Sequence, residues 1–195
     1  MRRIARTFGK IFHVAHGTPY HVENSLRGVV LAKSRGYVGV DLDVNASADD
    51  IIWATHWGRP MLRDGFHDPL RRLPRTKDMH LMTSEEVARL RTRDGYRIRK
   101  VSTLIKAARA HGLTVEVEAK PSPPLYGEKA WRNLADELDG ETREGLLVKV
   151  LLDLGEHPEN RLKAAHAAGF RTVALVHGGH NIKPEWAPFV DFYRA

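Results

Sequence analysis

Two short apolar runs in this sequence carry ionisable residues at every second position. Asp41 and Asp43 alternate with Val40, Leu42 and Val44, and Glu116, Glu118 and Lys120 alternate with Val115, Val117 and Ala119. Strand side chains alternate with a period of two, so each ionisable set shares one face of its strand. Three carboxylates gathered on a buried face suffer desolvation and mutual repulsion unless a cation accompanies them. Asp41, Asp43 and Glu118 therefore read as ligands of one divalent cation. An all-oxygen donor set favours a hard ion, namely magnesium, calcium or manganese. His16 and His56 each close an apolar run, and imidazole exchanges protons near neutral pH. A single histidine or carboxylate at a strand end is more often structural, so the weight rests on the grouping. Lys149 lies between Val148 and Val150, and two readings of it stay open: facing the interior near a phosphate, or reaching solvent from a strand end.

The elements that must position these residues alternate between short apolar runs and longer amphipathic ones. Strands are predicted over Ile11–His16, Tyr37–Val44, Ile51–His56, Leu113–Glu118, Leu146–Leu152 and Thr172–Val176, with a further short one over Phe189–Tyr193. Helices are predicted over Asn24–Arg35, from Thr83 or Ser84 to Arg93, and over Val101–His111, Lys129–Leu138 and Pro158–Ala168. Thr83 and Glu86 have capping-box spacing, and Gly36 and Gly112 are placed to end their helices. Gly58 to about Lys77, rich in Arg, Pro and Asp, reads as an irregular excursion. Repeated strand–helix units with buried strands point to a parallel sheet, open or closed. Sites in such folds lie at the C-terminal ends of the strands.

The 195 residues are expected to form one domain with a sizeable core. An eight-unit barrel typically takes about 250 residues, so a closed version is expected to be trimmed or incomplete toward its C-terminus. Without cysteine, disulfides and thiolate–zinc sites are excluded. No apolar run reaches the roughly 18 residues of a membrane span, and the basic start lacks a signal-peptide core, so a cytoplasmic location is the expectation. The formal charge of +7 and pI near 9.8 suit an anionic substrate. They would equally suit nucleic acid, but no nucleic-acid-binding motif accompanies the charge. The oligomeric state is not legible.

Taken in order, the motifs resemble those of the glycerophosphodiester phosphodiesterase family. They are His16-Gly17, then Glu23-Asn24-Ser25, then Asp41-Leu42-Asp43-Val44, then His56 thirteen positions after Asp43, and finally Glu118-Ala119-Lys120. The segment from Arg99 to Lys120 also resembles the family's approach to that strand, and the match runs from about Phe12 to Lys120. The resemblance implies a TIM-type (β/α) barrel that hydrolyses a small anionic phosphodiester. It implies that Asp41, Asp43 and Glu118 bind the metal and that His16 and His56 form a general acid–base pair. Glu23 would help hold the site together, and Lys120 would contact phosphate. In the family a substrate hydroxyl often attacks first, giving a cyclic phosphate that is then opened.

The sequence departs from the family pattern in three places. Gly17 stands directly after His16 where Arg is usual, Asp41 replaces a Glu, and Trp57 follows His56 where Asp is common. Arg63, Lys149 and His21 are the residues available to replace the missing Arg. Two rival expectations stand beside hydrolysis of a glycerophosphodiester: a degenerate barrel that binds a phosphate ligand without turnover, and a phospholipase D-like activity on lipid. Tyr20, Trp53, Trp57 and Trp131 read as pocket lining or as core, and His177 and His180 as an exposed loop pair rather than a second metal site.

Overall fold

The computed structural model describes residues 2–3, 11–13, 23–152, 157–175 and 184–194. In chain order the elements are β1 (Arg2–Arg3), β2 (Ile11–His13), α1 (Leu26–Ser34), β3 (Gly39–Ala46), β4 (Ile52–Ala54), α2 (Pro60–Arg63) and α3 (Ser84–Arg89). They continue with α4 (Val101–Ala110), β5 (Thr114–Ala119), α5 (Glu128–Glu137), α6 (Gly140–Glu144), β6 (Leu146–Leu151), α7 (Pro158–Ala167), β7 (Arg171–Leu175) and β8 (Phe192–Arg194).

The strands form one sheet in the order β1-β8-β7-β6-β5-β3-β2, with parallel neighbours throughout. Among the described residues β1 and β2 do not pair, so the sheet curves without closing. This is the expected α/β architecture with a parallel sheet. Among the described residues no helix is long and apolar enough to cross a membrane.

One strand departs from the expectation of a wholly parallel sheet. β4 is antiparallel to β3, pairing Ala54 with Val44 and Ile52 with Ala46. The reason is the length of the connection. Only residues 47–51 separate the two strands, whereas a parallel crossover needs about a dozen residues or more. Ser47 and Asp50 close the turn, Ser47 N donating to Ile51 O at 2.9 Å and Asp50 N to Ser47 O at 3.0 Å. β5 occupies one edge of β3, and the other edge is shared by β2 and β4.

Local chemistry explains the helix ends. The Ser25 hydroxyl accepts from Gly28 N at 3.0 Å and starts α1. The capping box at α3 forms as expected, Glu86 N donating to Thr83 Oγ1 and Thr83 N to Glu86 Oε2. α3 stops at Arg89, four residues short of the expected end, because Arg91 leaves the helix to bridge His67 and Arg97. Gly39 is needed where β3 passes β5, since a Cβ there would run into Thr114 Oγ1 and its carbonyl oxygen.

The main core lies between the outer face of the sheet and the helices. Val40, Leu42 and Val44 of β3, Val115 and Val117 of β5, and Val148 and Val150 of β6 pack against Leu104, Ile105, Trp131 and Leu162. Trp131 is fully buried, its indole N–H donating to Leu125 O at 3.1 Å. The segment from Gly58 to Lys77 is irregular, as expected, apart from the single turn of α2, but it belongs to a second small core. Trp53, Met61, Met79, Met82, Val87, Leu90 and Ile98 bury one another there. Methionine suits such a site because its flexible thioether fills gaps between irregular backbones.

Candidate active site

The apolar residues of β3, β5 and β6 face the helices, so the intervening residues face the concave side of the sheet. Pairing sets their levels. Asp41 lies opposite Glu116, Asp43 opposite Glu118, and Glu118 opposite Lys149. The sequence alternation is thereby turned into a two-dimensional array of charges.

Within the array, acids and bases are interleaved. Lys149 Nζ forms a short ion pair with Asp41 Oδ2 and lies 3.0 Å from Glu118 Oε2. Lys120 Nζ lies 2.7 Å from Asp43 Oδ1 and forms a short ion pair with Glu118 Oε1. Lys149 is 2% exposed, so it faces the interior and does not reach solvent. Burial of Glu118 pushes its carboxyl upward, but Lys149 and Lys120 overcome that and hold it below the ordinary value. Burial alone would lower the Lys149 ammonium, and Asp41 and Glu118 reverse the effect and raise it.

Asn24 supports the array from the start of α1. Its side chain accepts from Asp43 N at 3.0 Å and donates to Asp43 Oδ2 at 3.4 Å. The backbone of Asn24 is left-handed, at φ 46°, a conformation that Asn tolerates better than most residues. The sequence places Asn24 in a motif at the helix start, but its bond to Asp43 spans nineteen positions and has no local signal.

His56 arrives through the β3–β4 hairpin. Thr55 N donates to Asp43 O at 3.0 Å, so the next residue is delivered to the level of the acidic pair. The His56 ring stacks on Trp57 with centroids 4.7 Å apart and planes 5° from parallel. The Arg63 guanidinium lies over the Trp57 ring at 5.6 Å, so Trp57 forms a support for His56, whereas Trp53 and Trp131 are core residues.

Asp64 is the site residue that sequence reasoning missed. The chain folds back after α2, and Asp64 Oδ2 accepts from Thr55 Oγ1 at 2.8 Å and from Trp57 N at 3.2 Å. An acid is thus placed against the backbone following His56 from eight positions further on. Glu23, Asn24, His56, Asp64 and Phe66 line a small cleft of about 20 Å³. Burial lifts Asp64 to about 6, against the opposing hydrogen bonds from Thr55 and Trp57. Burial, with the charges of Asp64 and Asp43, lifts Glu23 to about 7.

Asp41, Asp43, Glu118, Lys120 and Lys149 therefore form one connected network, and Glu23 and His56 line the adjacent cleft. His16, Gly17, Tyr20 and His21 lie outside the described residues, as do His177 and His180. The three carboxylates present only oxygen, which suits a hard cation. They carry three negative charges against the two positive charges of Lys120 and Lys149. Among the described residues, no three acidic or imidazole side chains converge at ligand distance. The lysine ammoniums lie between the carboxylates instead.

No protein-family model matches this sequence, and no curated protein does. Solved structures do match. A phosphodiesterase from Oleispira antarctica, solved with the product sn-glycerol-3-phosphate, superposes with a TM-score of 0.64 at 19% identity, over 91% of this chain and 68% of that one. A glycerophosphodiester phosphodiesterase from Parabacteroides distasonis gives 0.64 at 15% identity, over 95% and 74%. A glycerophosphoryl diester phosphodiesterase from Silicibacter pomeroyi gives 0.59 at 13% identity, over 98% and 90%. The match to these structures covers 91% to 98% of this chain and is one of fold: the chain shares the α/β barrel architecture of the solved glycerophosphodiester phosphodiesterases, with its sheet not closed among the described residues.

Proposed function

We propose that this protein is a phosphodiesterase acting on a glycerophosphodiester or a similar small phosphodiester. The observation that carries the reading is the interleaved network of Asp41, Asp43, Glu118, Lys120 and Lys149 beside His56, on a fold shared with phosphodiesterases. Asp41, Asp43 and Glu118 would hold one divalent cation, magnesium, calcium or manganese. Such an ion, when bound, supplies Lewis-acid stabilisation of charge on the phosphoryl oxygens.

The chain's own groups complete the chemistry. Lys120, partly open to solvent, turns from Asp43 toward a phosphoryl oxygen and neutralises its charge. Lys149, held between Asp41 and Glu118, keeps the acidic array charged and in place. His56, held flat against Trp57, exchanges a proton with the attacking or the leaving oxygen, and His16 takes the opposite role. Glu23 borders the same cleft and helps hold its charge balance.

The test is hydrolysis of bis(p-nitrophenyl) phosphate and of glycerophosphocholine with magnesium, calcium or manganese, with and without EDTA. Turnover is expected with metal, and His56→Ala is expected to lower kcat by about 100-fold or more. A folded protein that turns over neither substrate with any metal overturns the reading. Lys120 and Lys149 already offset two carboxylate charges, and this favours one second reading: a barrel that binds a phosphate ester without cleaving it. Calorimetric binding of glycerol 3-phosphate in EDTA, without turnover in any metal, would select it.

A further inference from the structure

The second small core supports a groove of about 960 Å³, lined by Asp64, Phe66, Asp68, Arg71, Arg75 and Arg93 among others. Asp64 and Phe66 also line the cleft that holds His56, so the groove lies directly beside the candidate active site.

Its charges are unevenly committed. The Asp68 carboxylate is spent on the backbone, accepting from Leu70 N, Arg72 N and Leu73 N at 3.0, 2.8 and 3.1 Å. The Asp64 carboxylate is spent on Thr55 and Trp57. Asp94 is the remaining acid on the wall. Against it stand Arg71, Arg75 and Arg93, which among the described residues make no ion pair and no side-chain hydrogen bond. Two other cations of the excursion are matched, Arg59 with Asp78 at 2.7 Å and Lys77 with Glu86 at 2.9 Å. Arg71 is further held at φ 52°, on a loop tied down by buried Asp68, so its backbone is placed rather than free to drift.

We propose that this groove is a subsite for the arm of the substrate beyond the scissile phosphate, and that it selects an arm bearing a second anion, a phosphate monoester or a carboxylate. The proposal rests on the phosphodiesterase reading of the adjacent cleft. Guanidinium groups match such oxyanions with paired N–H donors. The three arginines supply more donors than one small anion needs, and the groove has room for a polar headgroup as well as its charge.

The experiment compares glycerophosphoglycerol with its derivative phosphorylated on the far glycerol, which differ only in the second anion. Wild type is expected to favour the phosphorylated substrate by about 10-fold or more in kcat/KM, carried mainly by KM. In the triple variant Arg71→Ala, Arg75→Ala, Arg93→Ala the ratio is expected to fall toward one, with circular dichroism confirming the fold. Glycerophosphoserine tests a carboxylate in place of the phosphate. Equal kcat/KM for the two wild-type substrates, or a preference that survives the triple variant, overturns the subsite. If neither substrate is cleaved, the hydrolase reading fails, and calorimetric binding of the same two compounds still decides the groove. Tighter binding of the phosphorylated compound that is lost in the triple variant supports it, and equal binding refutes it.

Discussion

Lys149 and Glu118 are register partners on adjacent parallel strands, and their side chains meet at 3.0 Å on the concave face of the sheet. The same ammonium also pairs with Asp41, so one lysine from β6 balances an acid on its neighbour β5 and another on β3, the strand beyond it. Removing it would take the buried ammonium from Asp41 and leave Glu118 with Lys120 as its cation. Lys149→Met is therefore expected to lower stability by about 3 kcal/mol, in the range for breaking a buried ion pair. Urea unfolding of the metal-free protein measures this, and adding Asp41→Asn should restore part of the loss. A cost below about 1 kcal/mol in the single variant would show that the network does not hold the sheet.

Asn24 joins a strained backbone to the acidic face. Asn24→Gly keeps the left-handed turn and loses the two bonds to Asp43, whereas Asn24→Ala loses both the bonds and the tolerance of φ 46°. We expect Gly to cost about 1 kcal/mol and Ala about 2 to 3. Thermal or urea unfolding of the two variants separates the contributions. Equal costs would remove the backbone from the account.

Glu23 and Asp64 make stability depend on pH in a defined direction. Their carboxyls are lifted to about 7 and about 6 from ordinary values of 4.5 and 3.8. A carboxyl with a raised folded pKa binds its proton more tightly in the folded state, so stability is greatest below the unfolded value and declines as pH rises through the folded one. The metal-free protein should lose stability between about pH 4 and pH 7, by roughly 1 to 3 kcal/mol from the coupled pair after allowing for solvent screening of the half-exposed Glu23. Asp64→Asn should flatten the slope, since Asn can still accept from Thr55 and Trp57 and carries no charge. Stability rising across this window, with acid titration of Glu118 accounted for below it, would contradict the assignment.

The acidic network should also respond to added cation. A divalent ion bound by Asp41, Asp43 and Glu118 would raise stability by about 2.7 kcal/mol at one hundred times its dissociation constant. EDTA should reverse the gain, and Glu118→Gln should weaken the response by at least about 10-fold in apparent affinity. Differential scanning fluorimetry over a calcium or magnesium series reads this without reference to activity. An identical response in wild type and Glu118→Gln would move the ion elsewhere.

Much of this site was legible from local pattern. The period of two placed Asp41 with Asp43 and Glu116 with Glu118, because a strand's side-chain alternation is a property of its own backbone. The Thr83–Glu86 capping box was legible for the same reason, its bonds closing within three residues. Pattern of this kind determined the parallel α/β class, the positions of the core strands and the candidate acids. It left both readings of Lys149 open, because burial depends on which strand lies alongside, and only the pairing of β6 with β5 put its ammonium between Asp41 and Glu118. The bond from Asn24 to Asp43, the return of Asp64 beneath Thr55 and Trp57, and the open arginine groove were likewise decided by tertiary structure. Each joins segments distant in the chain, where register, burial and the matching of charges are set by packing that no single stretch of sequence contains.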